Sequence, residues 1–223
     1  MLLLTVLFAA LAAWTLWRWW RINPDDNPLD ARFPLVPLAV YGTLAALAYL
    51  PTLRADLAAA RAGRAISVLE GRKLAYRCGS TLGVFFDRDT DMAVGYVRWT
   101  EDSIEQTAKL RHEVCEGLQR FLAAPNAVDA NWRDKVIAIH VLSHEARHML
   151  GERSEARAEC QAIQRNALLA RQLGASEDAA RELALAYWRD IYPHAPPGYF
   201  SSDCRAGGAL DEKLPSSPWN LAR

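Results

Sequence analysis

The chain has 223 residues, 51% of them hydrophobic, and its 26 Lys and Arg balance its 26 Asp and Glu. With no basic excess, nothing in it suggests a nucleic-acid partner. The part beyond its apolar start, about 170 residues, is long enough for one domain with its own core.

Residues 1–17 carry no charge and are rich in Leu and Ala; Arg18, Trp19, Trp20 and Arg21 follow as a basic and aromatic collar. Such a collar belongs at a bilayer interface. Without a basic start, and with bulky Trp at its end, the segment resembles a signal anchor more than a cleaved signal peptide. A second uncharged stretch, Phe33 to Leu53, is 21 residues long, enough to cross a bilayer, with Pro34, Pro37 and Pro51 near its ends. The expectation is a membrane anchor of one or two transmembrane helices over residues 1–53, in contact with lipid, and a domain over residues 54–223. Arg residues flank the second stretch on both sides, so charge does not choose the orientation.

Asp56 to Ala65 is Ala- and Arg-rich and predicts a helical stalk. Leu74–Cys78, Gly83–Phe86 and Met92–Trp99 are short, β-branched or aromatic, and separated by polar residues. They predict a short, mostly antiparallel sheet. Ser103 predicts an N-cap for a helix over Ile104–Leu122 with Leu110, Val114, Leu118 and Phe121 inward. Asn131 predicts the cap of the next helix, whose Trp132, Val136, Ile139, Leu142 and Met149 form an apolar stripe. Gly151 ends it, Ser154 caps a helix to about Leu173, and Ser176 caps one to about Tyr192. The last thirty residues are rich in Pro and Gly and predict an irregular tail tied down by Cys204 and Trp219.

Four cysteines, Cys78, Cys115, Cys160 and Cys204, are widely spaced with no C-x-x-C pair. That favours two disulfides, and so a domain outside the cytoplasm, over a zinc knuckle or a redox motif. Three pairings are open. Cys78–Cys115 with Cys160–Cys204 is preferred, because each bond then ties a peripheral segment to a helix.

The chemistry concentrates in His144-Glu145-Ala146-Arg147-His148. On a helix, His144 and His148 lie one turn apart on one face and can grip one zinc ion. Glu145 beside them can take a proton from an activated water. Ile137 and Val141 share that face, so the helix is covered on both sides, as the floor of a cleft would be. A catalytic zinc takes three protein ligands. Glu152, Glu155 and Glu159 are candidates. On an unbroken helix Glu155 would lie about 10 Å beyond His148. The chain must therefore turn at Gly151, after which Glu155 is the favoured ligand and Glu159 the second choice. His140 sits one turn before His144, and Tyr96, Tyr192 and Tyr199 are candidate donors to a developing oxyanion.

The motif with Glu155-Ala156 after it resembles the zincin metallopeptidases of the gluzincin kind, whose third ligand is a Glu on a second helix. The wider run from Cys78-Gly79 through Cys115, His140, the motif, Gly151, Glu159-Cys160 and Cys204 resembles bacterial membrane-anchored proteins with this motif. The gap between His148 and Glu155 is shorter than in typical gluzincins, and Ser154 stands where metzincins have a His. The resemblance implies an α+β, mainly helical, small zincin-like domain behind N-terminal transmembrane helices. It also implies a zinc-dependent hydrolase acting on a peptide or protein at the cell membrane. The rival expectation is a non-catalytic zinc-binding or scaffold module of the cell envelope.

Overall fold

The computed structural model describes residues 2–22, 34–79, 95–99 and 103–222. The strand expected over Gly83–Phe86, and the start of the one expected over Met92–Trp99, lie outside the described residues. The chain divides into two compact units, residues 1–54 and 55–223.

In the first unit, α1 spans Leu2–Ile22 and α2 (Leu35–Glu70) begins. Leu3, Leu7, Trp14, Trp17 and Trp20 are exposed on α1, as are Val36, Val40 and Leu47 on α2. Arg18 and Arg21 lie over the rings of Trp14 and Trp17, one turn back. Both helices are long and apolar enough to cross a membrane. Pro51 stands inside α2 rather than ending it.

The second unit opens with the last turns of α2. Ala55, Ala58, Ala59, Ala62, Ala65 and Ile66 recur at helical spacing and are buried. Gly71, at φ +65°, ends the helix. The sheet that follows holds β1 (Ala75–Cys78), β2 (Gly95–Trp99) and β3 (Ile104–Leu110) in the order β1-β3-β2. It corrects two expectations. Ile104–Leu110 is the central strand, and the helix begins only at His112. The segment is rich in Glu, Gln, Ala and Lys, all good helix formers, but pairing on both edges outweighs that local preference. The sheet is also mixed: β2 and β3, close in sequence, run antiparallel, while β1, from a separate stretch, pairs parallel to β3.

Helix α3 (His112–Ala123) buries Val114, Leu118 and Phe121 against α4 (Trp132–Met149). The two approach so closely that a Cβ on Gly117 would lie 2.5 Å from the Asp134 carbonyl oxygen. Lys135 Nζ, buried at the end of α3, donates to the Ala124 and Ala127 carbonyls and pairs with Asp129. Asn131 holds the N-cap position of α4 without a side-chain capping bond. Val136, Ile139, Leu142 and Met149 are buried, each contributing about 1.5–3 kcal/mol. Near its end, Arg147 forms an ion pair with Glu70, the last residue of α2.

Gly151, at φ +107°, breaks the chain after α4. Ser154 then caps α5 (Glu155–Ile163) by accepting from Arg157 N. The helix does not reach Leu173 as expected. It stops at Gln164, whose buried amide donates to the Leu210 carbonyl and accepts from Glu212 N, so the tail claims this residue. A separate α6 (Asn166–Gln172) follows, then α7 (Glu177–Ala186), capped by Ser176. Beyond α7 the winding loosens to a π turn over Tyr187–Ile191 and tightens to a 3-10 turn over Tyr192–His194. The tail is pinned by Trp219, in α8 (Pro218–Leu221), edge-on to Trp188. Two disulfides complete the unit: Cys78–Cys115 joins β1 to α3, and Cys160–Cys204 joins α5 to the tail. They span 37 and 44 residues, separations at which a cross-link stabilises by about 4 kcal/mol through loop-closure entropy.

Candidate metal centre

One turn of α4 carries His144, Glu145 and His148 to the wall of a cleft of about 1130 Å³. All three are buried, at 7%, 3% and 7% exposure. The break at Gly151 returns the chain, and α5 brings Glu155 to the same point. His144 Nε2 lies 2.9 Å from His148 Nε2, and Glu155 Oε2 lies 3.1 Å from the first and 3.2 Å from the second.

The opposite edges of the two imidazoles decide what that triangle means. His144 Nδ1 lies 3.0 Å from Glu159 Oε2, and His148 Nδ1 lies 2.7 Å from the Glu152 carbonyl oxygen. Both partners only accept, so both Nδ1 atoms donate. Each Nε2 then turns its lone pair toward the other and toward a carboxylate oxygen. Three acceptors so close repel one another unless a cation lies among them, a proton or a metal ion. Around tetrahedral zinc with bonds of about 2.0–2.1 Å, ligand atoms stand about 3.3 Å apart. The observed triangle is within a few tenths of an ångström of that. These buried His and Glu side chains can hold a metal ion.

Charge follows the same pattern. Burial works against a charged His144, but Glu155 and Glu159 outweigh it and raise the imidazole to about 9. His148 is raised too, Glu155 again overcoming burial. The His144 and His148 contacts hold Glu155 well below the usual carboxylate range. Glu145 goes the other way: burial pushes its carboxyl up to about 7, against the pull of His144 and His148. Its Oε2 is buried with no hydrogen-bond partner. This chain therefore sets three ionised or cation-binding groups beside one carboxyl of raised proton affinity, on the wall of an open cleft.

The other candidates separate cleanly. Glu152 faces away, accepting from Ser154 N and pairing with Arg157. Glu159 lies on the Nδ1 side of His144, with His140 and Tyr187. Tyr192 is engaged with Ser201 through both its donor and its acceptor. Tyr96 lines the cleft, its ring under Lys109. Tyr199 stacks on His144 at 5.7 Å between centroids, and burial with the nearby Glu155 pushes its hydroxyl up to about 12. His112 pairs with Glu116 away from the cleft, while His194 lies on the cleft lining. Sequence spacing did not reveal Trp99, edge-on to His148 with Arg153 over its ring. Nor did it reveal Tyr187 and Asn166, which no motif marks.

No protein-family model matches the chain, and no curated protein or solved structure does either.

Proposed function

We propose that the protein is a membrane-anchored, zinc-dependent peptidase of zincin type, acting outside the cytoplasm. The observation that carries this is the meeting of His144 Nε2, His148 Nε2 and Glu155 Oε2 beside Glu145, whose buried Oε2 has no partner, on an open cleft. His144, His148 and Glu155 would hold the metal. A zinc ion bound there would supply Lewis acidity toward a scissile carbonyl and acidify a water molecule. Three protein ligands and an open side suit catalysis, whereas a structural zinc is closed by four.

Glu145 accepts the proton of the attacking water at its carboxylate and passes it to the leaving amine. A carboxyl raised to about 7 by burial holds and releases a proton near neutral pH, as both halves of that task require. The Tyr199 hydroxyl, on the cleft lining and bonded to Glu155, would turn from that carboxylate to donate to the carbonyl oxygen as charge builds on it. The apolar lining from Val97, Ile137, Val141 and Ile191 excludes water from a bound peptide. The two disulfides support an oxidising compartment, and the two apolar helices support attachment to a membrane.

The deciding comparison is the full-length protein against Glu145→Gln. Both should carry about one zinc per chain, and only the wild type should hydrolyse a broad peptide library. General-base loss should lower the rate by about 100- to 10,000-fold. Equal hydrolysis by the two would remove Glu145 from the mechanism. No cleavage by the zinc-loaded wild type would favour a non-catalytic module.

A further inference from the structure

The carboxylate that sequence spacing ranked second as a ligand has every lone pair it needs already engaged. Glu159 is 3% exposed. Its Oε2 accepts from His144 Nδ1 at 3.0 Å and from His140 Nε2 at 2.9 Å, and its Oε1 accepts from the Tyr187 hydroxyl at 2.6 Å. Behind it, His140 is set in turn. Asn166 Nδ2 donates to His140 Nδ1 at 3.1 Å, which leaves the proton of that ring on Nε2, aimed at Glu159. The Tyr187 ring stacks on His140 at 3.6 Å and 13°, held there by the π turn that follows α7. Asn166 and His140 are buried as well, at 0% and 3%.

We propose that Glu159 is the positioning residue of the metal centre: anchored by Tyr187, His140 and Asn166, it keeps the proton of His144 on Nδ1 and turns Nε2 to the metal. This rests on the metal-site reading above and extends it to four residues outside the His144–His148–Glu155 triangle. A buried carboxylate that accepts from a ligand imidazole fixes the ring orientation and raises its donor strength. The Tyr187 and His140 contacts fix the carboxylate itself, so that its Oε2 stays on the Nδ1 side of His144. A second metal held by His140, His144 and Glu159 is the competing use of the same atoms. It would require stripping both imidazole protons from a cluster whose bonds among these three residues are already complete.

The test uses full-length protein in detergent. Zinc affinity is measured by competition with a chromophoric chelator, and the ligand field by the visible spectrum of the cobalt(II) form. Glu159→Gln keeps shape and removes the charge. It should weaken zinc by about 10- to 100-fold and shift the cobalt bands, with one metal per chain and an unchanged circular-dichroism spectrum. Tyr187→Phe keeps the stacking on His140 and removes only the hydroxyl. It should shift affinity and spectrum in the same direction by less, and it decides the matter if Glu159→Gln does not fold. Wild-type affinity and spectrum in Tyr187→Phe together with Glu159→Gln, or in Tyr187→Phe alone if the other is unfolded, would overturn the proposal. Two metals per wild-type chain would overturn it in favour of the dinuclear use. Tight zinc binding with these losses but no hydrolysis would sink the peptidase and leave the positioning role standing. A wild type that binds no metal would end both.

Discussion

Gly95, the first residue of β2, passes so close to Glu145 that a Cβ there would fall 2.7 Å from Oε1 and 2.9 Å from Cδ. The strand thus confines a carboxylate of the cleft wall whose Oε2 is buried and unpartnered, and only the missing side chain makes room. Gly95→Ala forces Glu145 to shift. Because His144, His148 and Glu155 lie outside that contact, zinc content should stay at one per chain. A displacement of the base by about 1 Å can cost on the order of 100-fold in rate. Metal analysis and peptide hydrolysis on the same preparation check this. Full activity in the variant would mean that Glu145 can do its work from elsewhere.

The choice among the three glutamates yields a second prediction. Glu155→Ala removes an oxygen of the triangle and should lower zinc affinity steeply, as should His144→Ala and His148→Ala. Glu152→Ala removes a side chain that serves Ser154 N and Arg157, while the Glu152 backbone carbonyl that receives His148 Nδ1 remains. Its zinc affinity should stay close to wild type. Equilibrium competition across the four variants reads out the ranking, and a Glu152→Ala loss as large as that of Glu155→Ala would contradict the geometry.

A third outcome concerns the metal as a stabiliser. Two imidazoles and a carboxylate that already meet around one point let a cation bind with little rearrangement. Any ligand specific to the native state stabilises it by mass action, about 2.7 kcal/mol at 100-fold excess over its dissociation constant. Chelation of the full-length protein should therefore lower its melting temperature, and added zinc should restore it. Cys and His variants apart, an unchanged melting temperature on complete zinc removal would argue against a site on this helix pair.

Much of the site was legible because its signals are local. The His144–His148 spacing needs only a helix, Gly151 needs only a positive φ, and Ser154 and Ser176 need only a free N–H two or three residues on. The disulfide pairing stayed open among three connectivities; the one preferred, because each bond ties a peripheral segment to a helix, is the one present. The parts that escaped depend on distant partners. Ile104–Leu110 carries helix-forming residues and becomes a strand because β1 and β2 claim both its edges. Gln164 ends α5 with no Gly or Pro, because Leu210, Glu212 and Ser217 occupy its amide. Glu159 shares a helix face with Glu155, one turn away. Which nitrogen of His144 each would meet was set by the crossing of α4 and α5, which no spacing records.

The two disulfides should separate by function as well as by location. Cys78–Cys115 ties β1 to α3, far along the chain from the ligands. Cys160–Cys204 ties α5, one residue after Glu159 and five after Glu155, to the tail that carries Tyr199 over His144. By loop length alone each contributes about 4 kcal/mol, so Cys78→Ser/Cys115→Ser and Cys160→Ser/Cys204→Ser should destabilise by similar amounts in denaturant titrations. Only the second pair fixes the helix that brings Glu155 to the metal. Zinc affinity, measured well below the unfolding midpoint of each, should therefore fall for Cys160→Ser/Cys204→Ser and hold for Cys78→Ser/Cys115→Ser. Thiol counting on wild-type protein isolated without reductant should find no reactive cysteine. Four reactive thiols would place the domain in a reducing compartment, and equal zinc affinities for the two variants would show that packing alone holds α5 against α4.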